Sequence, residues 1–171
     1  MTTTSLLSQQ TVDGCLRIAR QNLAQDGSLQ PILFVRTVGD RTRIIPLTLP
    51  DTFEAKARLF VRIGCDLSEQ ALEPSAALFL CESWIVAAQE APAAMDFPPS
   101  EHPARQEAIV AIGRSADNSR YSQVVQPFTW DKHNRPVWQP VPIAVYEETP
   151  SQGVGSAGLL DCLFEAIAAH A

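Results

Sequence analysis

The segment from Ala76 to Ala88 constrains the fold more than any other part of the sequence. Alternate residues of a strand point to opposite faces of a sheet. Both alternating sets are largely apolar here: Ala77, Phe79, Cys81, Ser83 and Ile85 form one, and Leu78, Leu80, Glu82, Trp84 and Val86 form the other. A strand that is apolar on both faces is typical of the centre of a sheet. The segment therefore predicts a central strand that is covered on both sides.

Three further strand-rich regions are expected to join the same sheet. Residues 31–49 predict a hairpin, with Gly39-Asp40 as a two-residue primed turn. Pro46 has no N–H for a ladder hydrogen bond, so its strand is expected at an edge or with a bulge. Residues 104–114 and 120–130 predict two more strands, joined by a turn at Ala116–Ser119.

Helices are predicted near residues 8–25, 52–66 and 158–169. The first carries an apolar stripe at helical spacing, and Gly27 after it suits a left-handed C-cap. Asp51 and Glu54 are typical of a capping box at the start of the second. The third is apolar and follows Gly153–Gly158, which matches G-x-G-x-x-G. No strand or acidic residue follows at the spacing of a dinucleotide fold, so this stretch is interpreted as a linker.

Residues 136–150 contain four prolines, which favour an extended arm or an irregular edge strand. The predicted order is therefore α-β-β-α-β-β-β-arm-α. Sequential strands without strict βαβ alternation are typical of an α+β fold. We predict one domain over residues 1–171, with an antiparallel or mixed sheet of about five strands, three helices and a proline-rich arm at about 136–150.

Charge and composition exclude several classes of protein. The chain has 13 Lys+Arg against 19 Asp+Glu and a net charge of -6, which argues against a nucleic-acid partner. No apolar run reaches the ~20 residues of a membrane span, and the first residues do not resemble a signal peptide. We therefore expect a cytoplasmic protein without a membrane partner. Arginine outnumbers lysine by 11 to 2, a bias that indicates a bacterial genome.

Cysteines and histidines give no sign of a metal or cofactor site. The four cysteines lie in apolar stretches without C-x-x-C spacing, so buried free thiols are predicted. His102, His133 and His170 each lack a second His or Cys at ligand spacing and are expected to be exposed. We predict no metal and no cofactor.

Glu82 is the most unusual charge in the sequence, because it interrupts an apolar face of the predicted central strand. It is expected to be buried with a partner, or to lie at the strand end facing water. Arg105, which opens the next strand, is the predicted ion-pair partner. Alternatively, Glu82 and Glu107 form a carboxylate pair with Arg105 and His102 beside it. Such a pair would hold a metal or perform acid–base chemistry.

Three short segments carry a resemblance to a known family. They are Glu82-Ser83-Trp84 at the end of the central strand, the loop Pro98–Pro103, and Arg105-Gln106-Glu107-Ala108 at the start of the next strand. In these segments the chain resembles a family of uncharacterised bacterial proteins. The resemblance implies no activity, and no residue roles follow from it.

The expected function is that of a non-catalytic cytoplasmic protein that binds an unidentified protein or small molecule, or that self-associates. Leu160, Leu163, Phe164 and Ile167 form one stripe on the last helix. A sheet face would leave part of this helix exposed, so a two-fold homodimer is predicted. Phe164→Glu is expected to disrupt it, with Arg114→Glu, on a distant turn, as a neutral control.

The alternative function is a small hydrolase or metal-dependent enzyme. Its candidate catalytic residues are Glu82, Glu107, Arg105 and His102. A cleft that gathers all four would favour the enzyme, and dispersed positions would favour the binding protein.

Overall fold

The computed structural model describes residues 5–86, 99–149 and 158–170. The three helices are α1 (Gln9–Asp26), α2 (Phe53–Glu69) and α3 (Gly158–Ala169). The strands are β1 (Ile32–Thr37), β2 (Thr42–Pro46), β3 (Pro74–Ile85), β4 (Gln106–Ser115), β5 (Tyr121–Trp130), β6 (Pro136–Trp138) and β7 (Ile143–Glu148). The G-x-G-x-x-G stretch lies outside the described residues except for Gly158, which begins α3.

The described strands form one seven-stranded sheet in the order β2-β1-β3-β4-β5-β6, with β7 also pairing with β5. All of these pairs are antiparallel. The predicted α+β fold with three helices is confirmed, but the predicted count of about five strands is wrong, since there are seven.

The difference lies in residues 136–150, for which the sequence favours an extended arm or an irregular edge strand. The edge strand is what the structure shows, because β6 and β7 lie at one edge of the sheet. Both strands pair with β5. Pro136 is the first residue of β6, and Pro140 and Pro142 lie between the two strands. These prolines therefore lie at a strand start or between strands, where no N–H is needed for a ladder hydrogen bond, and β7 contains no proline.

The strand β3 lies between β1 and β4 and has a core on each face, as the sequence predicts. Helix α1 covers one face with Val12, Leu16, Ala19 and Leu23, which pack against Leu78, Leu80, Ile109, Ala111, Val124 and Phe128. Helices α2 and α3 cover the other face with Phe60, Ile63, Leu67, Leu160, Leu163 and Phe164, which pack against Leu33, Val35, Ala77 and Phe79. The sheet is thus the middle layer of three.

The ends of α1 are set by local capping. The Ser8 hydroxyl accepts a hydrogen bond from the Thr11 N–H at 3.3 Å. Gly27 takes the left-handed conformation with φ 73° and donates its N–H to the Leu23 carbonyl at 3.0 Å. This cap confirms the prediction for Gly27 and ends α1 at Asp26.

The start of α2 differs from the prediction by one residue. Thr52 is the N-cap, since its hydroxyl accepts from the Ala55 N–H at 3.2 Å, so Asp51 does not cap the helix. The side-chain oxygen of an N-cap residue accepts from an amide two or three residues on. Asp51 and Thr52 both carry such an oxygen, so the sequence does not show which of them caps the helix.

Helix α3 packs against α2 and the sheet, which corrects two expectations. Its stripe is covered within the chain, because Leu160, Leu163 and Phe164 are buried. The stripe therefore no longer argues for a dimer. The Arg114 guanidinium pairs with Asp161 and lies 4.9 Å from the centre of the Phe164 ring. Arg114 is in contact with α3 and is not a neutral control.

The β1–β2 hairpin has a longer turn than predicted. The Thr37 N–H donates to the Arg41 carbonyl at 2.9 Å, so three residues, 38–40, form the turn. Asp40 takes the left-handed conformation with φ 63°. This is the position that a three-residue hairpin reserves for a left-handed residue, and the side chain of Arg36 pairs with that of Asp40 there. The edge position predicted for the Pro46 strand is confirmed.

Candidate functional site

The candidate site is a cavity at the end of the sheet, on the face that α1 covers. Gly27, Glu82, Glu107, Trp130 and Asn134 line it, and its volume is about 320 Å³. Helix α1 ends at Asp26, and the cavity is lined by its cap residue Gly27 and by no residue of the helix itself. This leaves side chains at the end of an otherwise buried sheet face open to solvent.

The strand register places both carboxylates of the predicted pair on this face. Glu82 is paired with Ile109, and Trp84 is paired with Glu107. Since side chains two residues apart share a face, Glu82 and Glu107 are diagonal neighbours across the β3–β4 ladder. Such neighbours are generally ~7–8 Å apart at the backbone, within reach of long side chains. The two glutamates can therefore act on one bound group.

Glu82 is only partly exposed and is held by the backbone after α1. The Leu29 N–H donates a hydrogen bond to its Oε2 at 2.8 Å. Burial raises the pKa of Glu82, the negative charge of Glu107 raises it further, and the Leu29 hydrogen bond lowers it. The rise in pKa means that the site disfavours its own negative charge, so a positively charged ligand would stabilise it.

The predicted ion pair between Arg105 and Glu82 is wrong. The Arg105 guanidinium lies over the ring of Trp84, 4.9 Å from its centre, and Glu82 is in none of the ion pairs of the described residues. The β3–β4 ladder ends at the pair of Ile85 with Gln106, so Arg105 lies beyond it. From there its long side chain reaches the exposed Trp84 ring, next to the site.

His102 is not among the residues that line the cavity. Its Nδ1 accepts a hydrogen bond from the Ala104 N–H at 3.0 Å, within the turn that follows the short 3₁₀ turn Pro99–Glu101. Of the four candidate residues, the structure thus brings Glu82 and Glu107 into one cavity. Arg105 lies beside it, and no described contact places His102 there.

Sequence reasoning missed Trp130 and Asn134 as site residues. Trp130 ends β5 and meets Phe128 edge-on, with ring centres 5.4 Å apart. Asn134 lies in the next turn with φ 55°, which Asp131 holds by accepting hydrogen bonds from the N–H groups of His133 and Arg135. Only the strand topology could have indicated these two residues. In the antiparallel pair of β4 and β5, the end of β5 lies beside the start of β4, where Glu107 is found.

Neither a metal centre nor a membrane span emerges from the described part of the chain. Residues 5–86, 99–149 and 158–170 contain no group of three or more His, Cys, Asp or Glu side chains that could hold a metal ion. Within the same ranges, every helix is too short or too polar to cross a bilayer.

Comparison of the chain with protein-family models, with curated proteins and with solved structures finds no match in any of the three. The resemblance to a bacterial family stays a prediction. Function is therefore inferred from the cavity itself.

Proposed function

We propose that this protein is a non-catalytic binding protein whose cavity binds a small organic cation carrying a guanidinium or ammonium group. The observation that carries the proposal is that Glu82 and Glu107 share one partly buried cavity with Trp130. Carboxylates and an indole ring face are the protein groups that attract such cations most strongly.

Electrostatics favour a cation over a neutral or anionic ligand. The pKa of Glu82 is raised by burial and by the charge of Glu107, so the negative charge of Glu107 makes Glu82 harder to ionise. A bound cation would be attracted to both carboxylates and would offset the repulsion between them. The gain is larger in a partly buried cavity than in bulk water because the effective dielectric is lower.

The aromatic residues at the site support the same ligand class. Trp130 lines the cavity, and a cation over the face of its ring would gain ~0.5–2 kcal/mol depending on desolvation. Arg105 stacked on Trp84 is an intramolecular example of this contact beside the cavity, at 4.9 Å. A planar guanidinium is therefore the best-matched head group.

The cavity volume of about 320 Å³ limits the ligand to a small molecule, because it falls at the lower end of the ~300–1,000 Å³ of ligand pockets.

The alternative enzyme function uses the same cavity. Its supporting observation is the raised pKa of Glu82, which suits a general acid, with Glu107 as the base. The two functions differ in whether the bound molecule is recovered unchanged.

Calorimetric titration with methylguanidinium chloride tests the proposal, with N-methylurea as the neutral compound of the same shape. We expect saturable binding of the cation alone, and Glu107→Gln should weaken it about tenfold, or ~1.4 kcal/mol. Glu69→Gln, on the exposed end of α2 and the other side of the sheet, is the matched control and should bind as wild type does.

Equal binding of N-methylurea, or an unchanged affinity in Glu107→Gln, would contradict the proposal. NMR spectra of methylguanidinium and of larger guanidinium esters after incubation decide between binding and catalysis. Unchanged spectra support the binding protein, whereas turnover that Glu107→Gln abolishes supports the enzyme.

Self-association is the other part of the expected function, and we propose the outer edge of β2 as its surface. The Leu47 N–H donates to the Pro31 carbonyl at 2.8 Å, and the Thr37 N–H donates to the Arg41 carbonyl at 2.9 Å. Odd-numbered residues of β2 therefore bond to β1, and the backbone groups of Ile44 point outward. Antiparallel pairing of two β2 strands about Ile44, whose side chain is 63% exposed, would satisfy these groups in both copies.

Light scattering tests this dimer against the chain mass of 18.7 kDa. A mass twice that value, reduced to the monomer by Ile44→Pro because this removes the outward N–H, supports pairing through β2. A monomer at micromolar concentration excludes it.

A further inference from the structure

Helices α2 and α3 bring a cysteine and a histidine together on the side of the sheet opposite the cavity. Cys65 Sγ lies 3.9 Å from Nε2 and 4.0 Å from Nδ1 of His170. Cys65 is a free, partly exposed thiol near the end of α2, and His170 is the exposed residue after α3. No local pattern in the sequence indicates the pair, because the two residues are 105 positions apart.

The imidazole is held in the tautomer that a base requires. His170 Nδ1 lies 2.8 Å from the Ala166 carbonyl oxygen. Since a carbonyl oxygen only accepts, the hydrogen of the neutral ring is on Nδ1, and Nε2 is left without one. Both ring nitrogens lie at nearly the same distance from the thiol, and Nε2 is the one that is free to take its proton.

Close helix packing fixes the distance between the two residues. A Cβ atom at Gly64 would lie 2.6 Å from the Leu163 carbonyl oxygen, so the two helix backbones touch next to Cys65. One turn later, the Ser68 hydroxyl donates to the Ile167 carbonyl at 3.5 Å. The last turn of α3 is thereby held against α2 from both sides of Cys65.

The other thiols differ from Cys65 in their surroundings. Cys81 is buried, and burial raises its pKa to about 12. Burial also raises the pKa of Cys15. Cys162 is partly exposed, like Cys65, but among the described residues it has no imidazole within hydrogen-bonding distance. The prediction of buried thiols therefore holds for Cys81 alone, and Cys162 is a natural internal control.

We propose that Cys65 and His170 form a reactive thiol–imidazole pair, a site of reversible S-thiolation by low-molecular-weight disulfides. His170 Nε2 takes the proton from Cys65 Sγ, and the thiolate attacks one sulfur of the disulfide. One S–S bond forms as the other breaks, and the leaving thiolate takes the proton back from the imidazolium. The exchange needs no external oxidant or reductant beyond the disulfide itself.

The test uses hydroxyethyl disulfide on the native full-length protein at neutral pH, with peptide mass spectrometry to follow each cysteine. We expect Cys65 to form the mixed disulfide at least about tenfold faster than Cys162. In His170→Asn, whose amide can still donate to the Ala166 carbonyl, the Cys65 rate should fall to about that of Cys162. Glu165→Gln, on the exposed face of α3, should change neither rate.

Three results would overturn the proposal. One is a wild-type Cys65 that reacts no faster than Cys162. Another is a His170→Asn variant in which Cys65 reacts as fast as before. The last is a His170→Asn variant that accelerates Cys162 together with Cys65, because exposure of the helices, and not a base, would then control the rate. None of these depends on whether the cavity binds a cation.

Discussion

Replacing Gly64 by alanine tests the close contact between α2 and α3. An alanine Cβ at this position would lie 2.6 Å from the Leu163 carbonyl oxygen and 2.9 Å from the Ala166 Cβ. Both obstacles are rigid, since one is backbone and the other is a methyl group without rotamers. Ordinary contact begins near 3.4 Å, so α3 must move away from α2 by roughly 0.8 Å.

Two opposing free energies decide the outcome. Alanine is favoured over glycine inside a helix by ~1 kcal/mol. Overpacking of a tight core costs ~1–3 kcal/mol, and a rigid obstacle puts Gly64→Ala in the upper part of that range. The net expectation is a loss of ~1–2 kcal/mol in the free energy of unfolding, or several degrees in melting temperature.

Gly14→Ala is the matched control, because Gly14 lies inside α1 with nothing within 4 Å of the added Cβ. There the helix preference acts alone, and a gain of up to ~1 kcal/mol is expected. Urea denaturation followed by far-UV circular dichroism measures both variants, with an unchanged m-value as the check on two-state unfolding. A Gly64→Ala protein as stable as wild type would refute the reasoning, since the same substitution must give opposite signs at the two positions.

Three further predictions concern charge and the core. Because burial raises the pKa of Glu82, the folded state favours its protonated form, and stability falls as pH rises from the ordinary value of 4.5 through the raised one. Glu82→Gln should therefore raise the melting temperature at neutral pH and leave it unchanged well below pH 4.5. An equal rise in melting temperature at both pH values would contradict the raised pKa of Glu82. Arg114→Glu should cost about 2–3 kcal/mol, less than breaking a fully buried pair, and adding Asp161→Arg should restore part of it in a double-mutant cycle. Phe60→Ala, at a fully buried side chain, should cost ~3–5 kcal/mol, whereas Phe53→Ala, at a side chain that is 63% exposed, should change the melting temperature little.

The elements that the sequence predicts correctly are those set by local signals. Gly27 ends α1 because a left-handed cap needs little beyond its own residue and the preceding turn. The central position of β3 follows from apolar residues on both of its faces, and the edge position of β2 agrees with Pro46. The four prolines of 136–150 left an extended arm and an edge strand both open. Their positions leave residues 143–148 free to pair with β5, so the edge strand is what forms.

The site residues were predicted only in part, because register decides which side chains meet. Glu82 and Glu107 share a cavity through a diagonal of the β3–β4 ladder. The same ladder ends before Arg105, which leaves it over Trp84 and not beside Glu82. Charge complementarity in the sequence favoured an ion pair, yet a planar guanidinium also stacks well on an exposed indole ring. No local pattern distinguishes these two arrangements.

The three-layer arrangement has a consequence for the order in which the chain is made. Helix α1 is synthesised early, but its apolar stripe packs on strands that follow much later, and the Ser122 hydroxyl reaches back to the Leu7 carbonyl across 115 positions. Chains grow from the N-terminus at ~5–20 residues per second, so the stripe waits for several seconds until its partners in β4 and β5 are made. Sheet residues 32–85 can meanwhile pair among themselves and with α2. A ribosome-bound chain that stops before β5 should therefore present α1 to chaperones, and one that extends past β5 should not.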